Sequence, residues 1–285
     1  MTEKMKDKAL KWKMSLYIRN KLIDRFIYNY CSIHPELLKE IVPKLTEYSA
    51  VGNFNINDVF IAGFPKSGNT LMQNIMTGIV YGIIPKKLHN SVIQELIPDI
   101  IDKKFYKRFL DTCFFKTHEL PKPEYKKVIY IVRDGRDAMV SYYHMNKAAG
   151  VNHTIDEMIV EGKGLINTKW HIHTESWVKN PYSANIMFLK YEDLITNPLT
   201  EYKRICEFVN IKRDDTFLQD LVDACSFDTM RKREAEQNWG KGIWKEKYFF
   251  VRKGQAGDYV NELSESNIKH FTEESYKMLK HFNYI

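Results

Sequence analysis

Residues 58 to 80, DVFIAGFPKSGNTLMQNIMTGIV, constrain the fold more than any other stretch, because they read as a buried strand, a tight turn and a helix in immediate succession. Val59, Phe60, Ile61 and Ala62 make a short apolar run, and Gly63 to Thr70 gather Gly, Pro, Ser and Asn. An apolar period then resumes at Leu71, Ile75 and Ile79. The first turn of such a helix presents free backbone N–H groups and the positive end of its dipole, which favour an anion. Lys66 adds a cation, and Ser67 and Thr70 add hydroxyl donors. An anionic nucleotide is the first ligand this suggests. The order departs from the metal-dependent loop GxxxxGK[ST], because Lys66 precedes Ser67 and Gly68 instead of following the second glycine. No apolar strand elsewhere ends in a double-acid pattern, so a metal-dependent nucleotide hydrolase is disfavoured.

The same strand-and-helix pattern continues along the chain. Apolar runs predict strands near 58–63, 112–116, 127–132 and 185–190, alternating with helices near 69–82, 134–148, 167–179, 197–210, 214–224 and 264–280. Such alternation implies a parallel sheet covered on both faces. Ligands of these sheets bind beyond the carboxyl ends of the strands, where Lys66, Lys116 and Arg133 all fall. A length of 285 residues with 44% hydrophobic content suits a substantial α/β core and excludes disorder. We expect an N-terminal helical segment over 1–57, packed on an α/β domain over 58–285, with a short helix at 34–45 and a linker at 52–58.

The net charge of +7 invites a nucleic-acid reading, yet no nucleic-acid motif is present and only the first 25 or so residues are distinctly basic. That segment reads as a helix packed on the domain with a solvated basic rim. No apolar run approaches the roughly eighteen residues of a membrane span, and residues 1–14 lack the continuous apolar stretch of a secretory signal, so a cytoplasmic location is expected. Cys31, Cys113, Cys206 and Cys225 are far apart among apolar neighbours, which suits reduced core thiols.

Five segments in order carry a family resemblance. FPKSGNTL (64–71) resembles the 5′-phosphosulfate loop of cytosolic sulfotransferases, and CFFKTHELP (113–121) the segment bearing that family's catalytic histidine. VIYIVRDGRDAMVSYY (128–143) is similar to its 3′-phosphate strand and helix, FLKYEDL (188–194) to a further nucleotide-side segment, and VRKGQAGDY (251–259) to its C-terminal RKGxxGDW signature. The resemblance implies a single P-loop-like α/β domain, akin to nucleotide kinases. It also implies 3′-phosphoadenosine 5′-phosphosulfate (PAPS) as sulfuryl donor, the 3′,5′-bisphosphate PAP as product, and no metal. A sulfuryl group carries less negative charge than a phosphoryl group, so side-chain cations suffice where a kinase uses Mg²⁺.

Carried onto this sequence, the resemblance makes His118 the general base, Lys66 the cation at the leaving 5′-phosphate and Lys116 a second cation over the sulfuryl group. Ser67, Gly68, Asn69 and Thr70 present donors to the 5′-phosphate. Arg133 and Ser141 bind the 3′-phosphate, and Val251, Arg252, Lys253 and Gly254 close over it. Tyr191 offers its hydroxyl to the adenine side, while Glu192 and Asp193 hold the loop. Leu71 stands where many members have a tryptophan that stacks on adenine, so the base leans on Phe227, with Cys225, Ser226 and Met230 around it.

The acceptor is a small molecule beside His118, walled by the segments that diverge most, roughly 83–110, 144–166 and 233–249. Tyr81, Phe105, Tyr106, Tyr143, Trp239, Trp244, Tyr248 and Phe249 are candidate aromatic walls, and Glu95, Asp99, Glu234 and Glu236 candidates to meet a cation. The family acts on phenols, sterols, amines and alkaloids, which leaves a hydroxyl and an amine both open. His171 and His173 in WHIH fall on different helix faces with no third ligand, and Glu161 with Gly162 and Gly164 reads as a loop. Two other classes stand beside the enzyme: a silent nucleotide-binding regulator, which would tolerate loss of His118, and a peripheral membrane module resting on residues 1–26. The family's dimerisation pattern is not visible in VNELSESNIKHF (260–271), so monomer and dimer are both allowed.

Overall fold

The computed structural model describes residues 48–239 and 248–285. The helices expected before residue 48, Cys31 and Trp244 lie outside the described residues. Among the described residues, 48–53 and 104–108 belong to a small unit of their own. There β1 (Tyr48–Ala50) pairs antiparallel with β3 (Phe105–Lys107), and Tyr106 Oη donates to Asn53 O at 2.6 Å. Strands of three residues are too short for a two-residue period to declare itself in the sequence.

The larger unit, residues 54–103 and 109–285, carries the parallel sheet. Its sheet runs β4 (Phe114–Thr117), β2 (Val59–Gly63), β5 (Lys127–Val132) and β6 (Asn185–Lys190), every pair parallel. All five residues of β2 are buried, as are all but the first of β5, which is what continuous apolar runs without alternation require. One face carries Ile61, Ile129, Ile131 and Leu189 against Met72, Ile75 and Ile79 of α1 (Asn69–Tyr81). The other is aromatic, with Phe60, Phe115, Tyr125, Tyr130 and Trp177 in ring contact. Each large side chain so buried contributes about 1.5–3 kcal/mol.

The remaining helices follow in chain order: α2 (Asn90–Leu96), α3 (Gly135–Ala148), α4 (Ile155–Glu161), α5 (Trp170–Lys179), α6 (Tyr191–Thr196), α7 (Pro198–Val209), α8 (Asp215–Ala224), α9 (Phe227–Gln237), α10 (Tyr259–Glu262) and α11 (Glu265–His281). Several begin where a side chain satisfies an orphan N–H: Asp134 accepts from Arg136 N, Asp214 from Phe217 N and Ser264 from Asn267 N. Residues 155–161 correct the expectation of a loop around Glu161. Thr154 and Glu157 form a reciprocal capping box, and Gly162, at φ +77°, ends the helix. Cys113, Cys206 and Cys225 are buried. No helix among the described residues is long and apolar enough to cross a membrane.

Candidate active site

Because the strands are parallel, their carboxyl ends share one edge, and the chain delivers its chemistry there from four of them. After β2 the backbone turns through Phe64–Gly68, with Ser67 N donating to Phe64 O at 3.1 Å and Met72 N to Gly68 O at 3.0 Å. Lys66 is left-handed at φ +70°, and Gly68 follows at φ +109°. A non-glycine residue in that region costs on the order of 1–2 kcal/mol, a strain that here turns the Lys66 side chain into the site. Gly68 has a second constraint: a Cβ there would stand 2.7 Å from Tyr191 Cδ2. Gly68→Ala is expected to cost about 1–3 kcal/mol, read as a lower midpoint in chemical denaturation. An unchanged midpoint would show that the Tyr191 ring yields freely.

At the end of β4, His118 Nδ1 lies 2.8 Å from the Gly63 carbonyl oxygen. That oxygen can only accept, so Nδ1 carries the proton and Nε2 keeps its lone pair. Burial, then the charge of Lys116, lowers the imidazole pKa to about 3, so it is neutral throughout the physiological range. The backbone of His118 is held as firmly as its ring. Its carbonyl accepts from His173 Nε2 at 3.0 Å and from Asn167 Nδ2 at 3.1 Å. His173 is fully buried and accepts from Tyr130 Oη at 2.9 Å, so it braces the site and is not half of a metal pair. Among the described residues no cluster of three or more His, Cys, Asp or Glu is placed to hold a metal ion.

Lys66 Nζ lies 5.4 Å and 5.3 Å from the ring centroids of Tyr248 and Phe250. Burial lowers its pKa to about 7, assisted by the like charges of Lys116 and Arg133. Arg133, beyond β5, donates to Lys66 O at 3.2 Å and to Gln255 O at 3.1 Å, and its guanidinium stacks 4.5 Å from the Tyr191 ring centroid. Arg252 and Lys253 are each shared by two carboxylates: Arg252 meets Asp258 at 2.9 Å and Glu262 at 3.2 Å, and Lys253 meets them at 2.7 Å and 2.9 Å.

One cavity of about 510 Å³ gathers these segments. Its polar end is lined by Lys66, Lys116, His118, Arg133, Ser141 and Arg252. Gly68, Asn69 and Thr70 line it from the loop, and Val251, Lys253 and Gly254 from the C-terminal signature. Its more apolar wall has Leu71, Tyr191, Cys225, Ser226, Phe227 and Met230, joined by Leu194, Tyr202 and Val222, which sequence reasoning missed. Phe227 packs closely on the C-terminal signature, since a Cβ on Gly254, itself at φ +65°, would fall 2.3 Å from its ring. Ser67 departs from the set: it is fully buried, is not among the lining residues, and its Oγ has no hydrogen-bond partner. Tyr191 presents its ring to Gly68 and Arg133, whereas Glu192 does hold the loop, accepting from Asp134 N and from Tyr284 Oη.

The acceptor-side expectations divide. None of the candidate aromatic walls among the described residues lines the cavity, where Phe250 stands instead; Tyr81 donates to Leu96 O and Trp239 Nε1 to Gln237 Oε1. Glu95 is paired with Lys103, and Glu234 accepts from the backbone N–H groups of Phe250 and Val251. Asp99 does line the cavity, but its carboxylate lies on Lys116 at 2.7 Å.

A parallel α/β domain with a phosphate-type loop after its central strand, and cations converging from three further segments, is a P-loop-like nucleotide-binding architecture. The sulfotransferase domain family matches residues 56–283, and the chain belongs to it. Human sulfotransferase 1C2 is 27% identical over 273 residues, covering 83% of this chain and 90% of its own length. Cytosolic sulfotransferase 7 of Arabidopsis thaliana is 25% identical over 257 residues, covering 77% and 79%. In fold, the crystal structure of mouse sulfotransferase SULT7A1 complexed with PAP is similar, with a TM-score of 0.62 and 21% identity over 79% of this chain and 85% of the mouse chain.

Proposed function

We propose that this chain transfers a sulfuryl group from PAPS to a hydroxyl or amine of a small-molecule acceptor, with His118 as general base. The observation that carries this reading is His118 Nε2, left unprotonated by the Gly63 hydrogen bond, in a cavity shared with Lys66, Lys116, Arg133 and Arg252. The site suits a ligand with two phosphate-type ends. Arg133 Nε is buried without a partner, and Lys66 and Arg133 stand close enough for their charges to repel. An anionic group between them would satisfy both conditions.

Bound there, the nucleotide would supply the activated sulfuryl group. Gly68, Asn69 and Thr70 would hold the 5′-phosphate end, and Lys66 would stabilise charge as it develops on the leaving oxygen. Arg133, Ser141, Arg252 and Lys253 would hold the 3′-phosphate, with Asp258 and Glu262 yielding part of their hold on the latter two. Leu71 and Phe227 would flank adenine. His118 Nε2 would take the proton from the acceptor, and Lys116 would stay beside the transferred group. The test is a screen of phenols, alcohols and amines with isotopically labelled donor, read by mass spectrometry for an added sulfuryl group. Transfer to at least one acceptor is expected. Binding of PAP without transfer to any class would favour the silent regulator instead.

A further inference from the structure

The carboxylate of Asp99 is a charge that the reading above leaves unused, although it sits inside the same cavity. Asp99 is 4% exposed, its Oδ2 lies 2.7 Å from Lys116 Nζ, and its Oδ1 accepts from Ile101 N at 3.0 Å. The backbone fixes the pair as well as the side chains do. Residues 98–100 run parallel to the edge strand β4, with Lys116 N donating to Pro98 O at 2.9 Å and Ile100 N donating to Lys116 O at 3.0 Å. Asp99 and Lys116 are therefore directly opposed across a β-bridge, which places their side chains on the same face.

From this geometry we infer that Asp99 is a positioning residue: it holds the Lys116 ammonium in the cavity beside His118. The inference rests on the proposed sulfuryl transfer. A lysine has four rotatable bonds, and an unpaired one facing a multiply anionic ligand would follow the strongest negative charge, the phosphates. Tethered to Asp99, it stays two residues from His118 and can still donate its other two protons to the group in transfer. Lys116, with the hydrogen bond from Ile101 N, keeps the Asp99 carboxyl below its usual range despite burial, so the tether is ionised at working pH. The cost is electrostatic. A fixed negative charge inside an anion site weakens ground-state binding of the nucleotide while favouring the geometry needed for transfer.

Asp99→Asn removes the charge and nearly preserves the shape. Its kcat, measured with an acceptor found in the screen, is expected to fall on the order of tenfold or more. PAP binding by calorimetry is expected to tighten about threefold, because one negative charge has left the cavity. Asp99→Glu should recover part of kcat, and in a Lys116→Met background Asp99→Asn should change kcat by less than about twofold, because its target is gone. An unchanged kcat overturns the inference, as does a full effect in the Lys116→Met background. So does a parallel fall in kcat, PAP affinity and melting temperature, which would mark Asp99 as merely structural. A wild-type chain that transfers nothing removes the proposed function, and this inference with it; normal wild-type transfer with an indifferent Asp99→Asn removes the inference alone.

Discussion

His118→Ala is expected to lose about 10²–10⁴ in turnover while binding PAP within about twofold of the wild type. The asymmetry follows from what each ring nitrogen does. Nδ1 is occupied by the Gly63 carbonyl, so the ring is oriented from within the fold, and only Nε2 is left for the acceptor. The cations proposed to hold the nucleotide lie on other segments and keep their own supports, Arg133 on Lys66 O and Gln255 O among them. The measurements are kcat in a sulfuryl-transfer assay and Kd by calorimetry. Unchanged kcat would remove His118 from the chemistry, and loss of both quantities would make it a structural residue. Because burial and Lys116 lower its pKa to about 3, no acid limb near pH 6.5 is expected in the wild-type profile.

Lys66→Met is expected to lower kcat by about 10²–10³, the effect typical of removing one preorganised donor to developing charge. It should also leave a signature in binding. Free Lys66 titrates near 7, pulled down by burial and then by Lys116 and Arg133. A bound anion favours the charged ammonium, so its pKa rises and nucleotide binding takes up a fraction of a proton at and above pH 7. Calorimetry in buffers of different ionisation enthalpy measures that uptake directly. Wild-type affinity should weaken as pH rises through 7 to 9, and both the uptake and much of the slope should vanish in Lys66→Met. Uptake of the same size in the variant would assign the titration to another group.

The strands of the sheet were legible because each is an apolar run bounded by turn residues: expected at 58–63, 127–132 and 185–190, they stand at 59–63, 127–132 and 185–190. The longer helices were legible for the complementary reason, a sustained apolar period. Helix α9 was not, since FDTMRKREAEQ buries a charged pair, Arg233 and Glu234, along with Met230 and so shows no apolar stripe. Within the site, the residues singled out inside contiguous motifs line the cavity, with Ser67 the exception. Asp99 was seen only as a possible partner for a cationic acceptor. Its real partner, Lys116, is 17 residues away across a β-bridge that no local pattern announces. Leu71 and Phe227 both belong to the more apolar wall, which Leu194, Tyr202 and Val222 extend from α6, α7 and α8, helices whose apolar residues read as core.

The crowding of Lys66, Lys116, Arg133 and Arg252 around one cavity carries a consequence for heat tolerance. In the unfolded chain Lys66 holds its proton up to about 10.5, but in the fold only to about 7. Unfolding thus takes up a proton between those values, and the ligand-free protein gains stability as pH rises through that window. At neutral pH the fold still carries part of a crowded charge, which a bound anion or loss of the proton relieves. A Lys66→Met chain should therefore outlast the wild type on heating when no nucleotide is present, and fall behind it once PAP is added at many times its Kd. Selection for the most heat-resistant variants of this protein, made without ligand, would tend to discard Lys66 first.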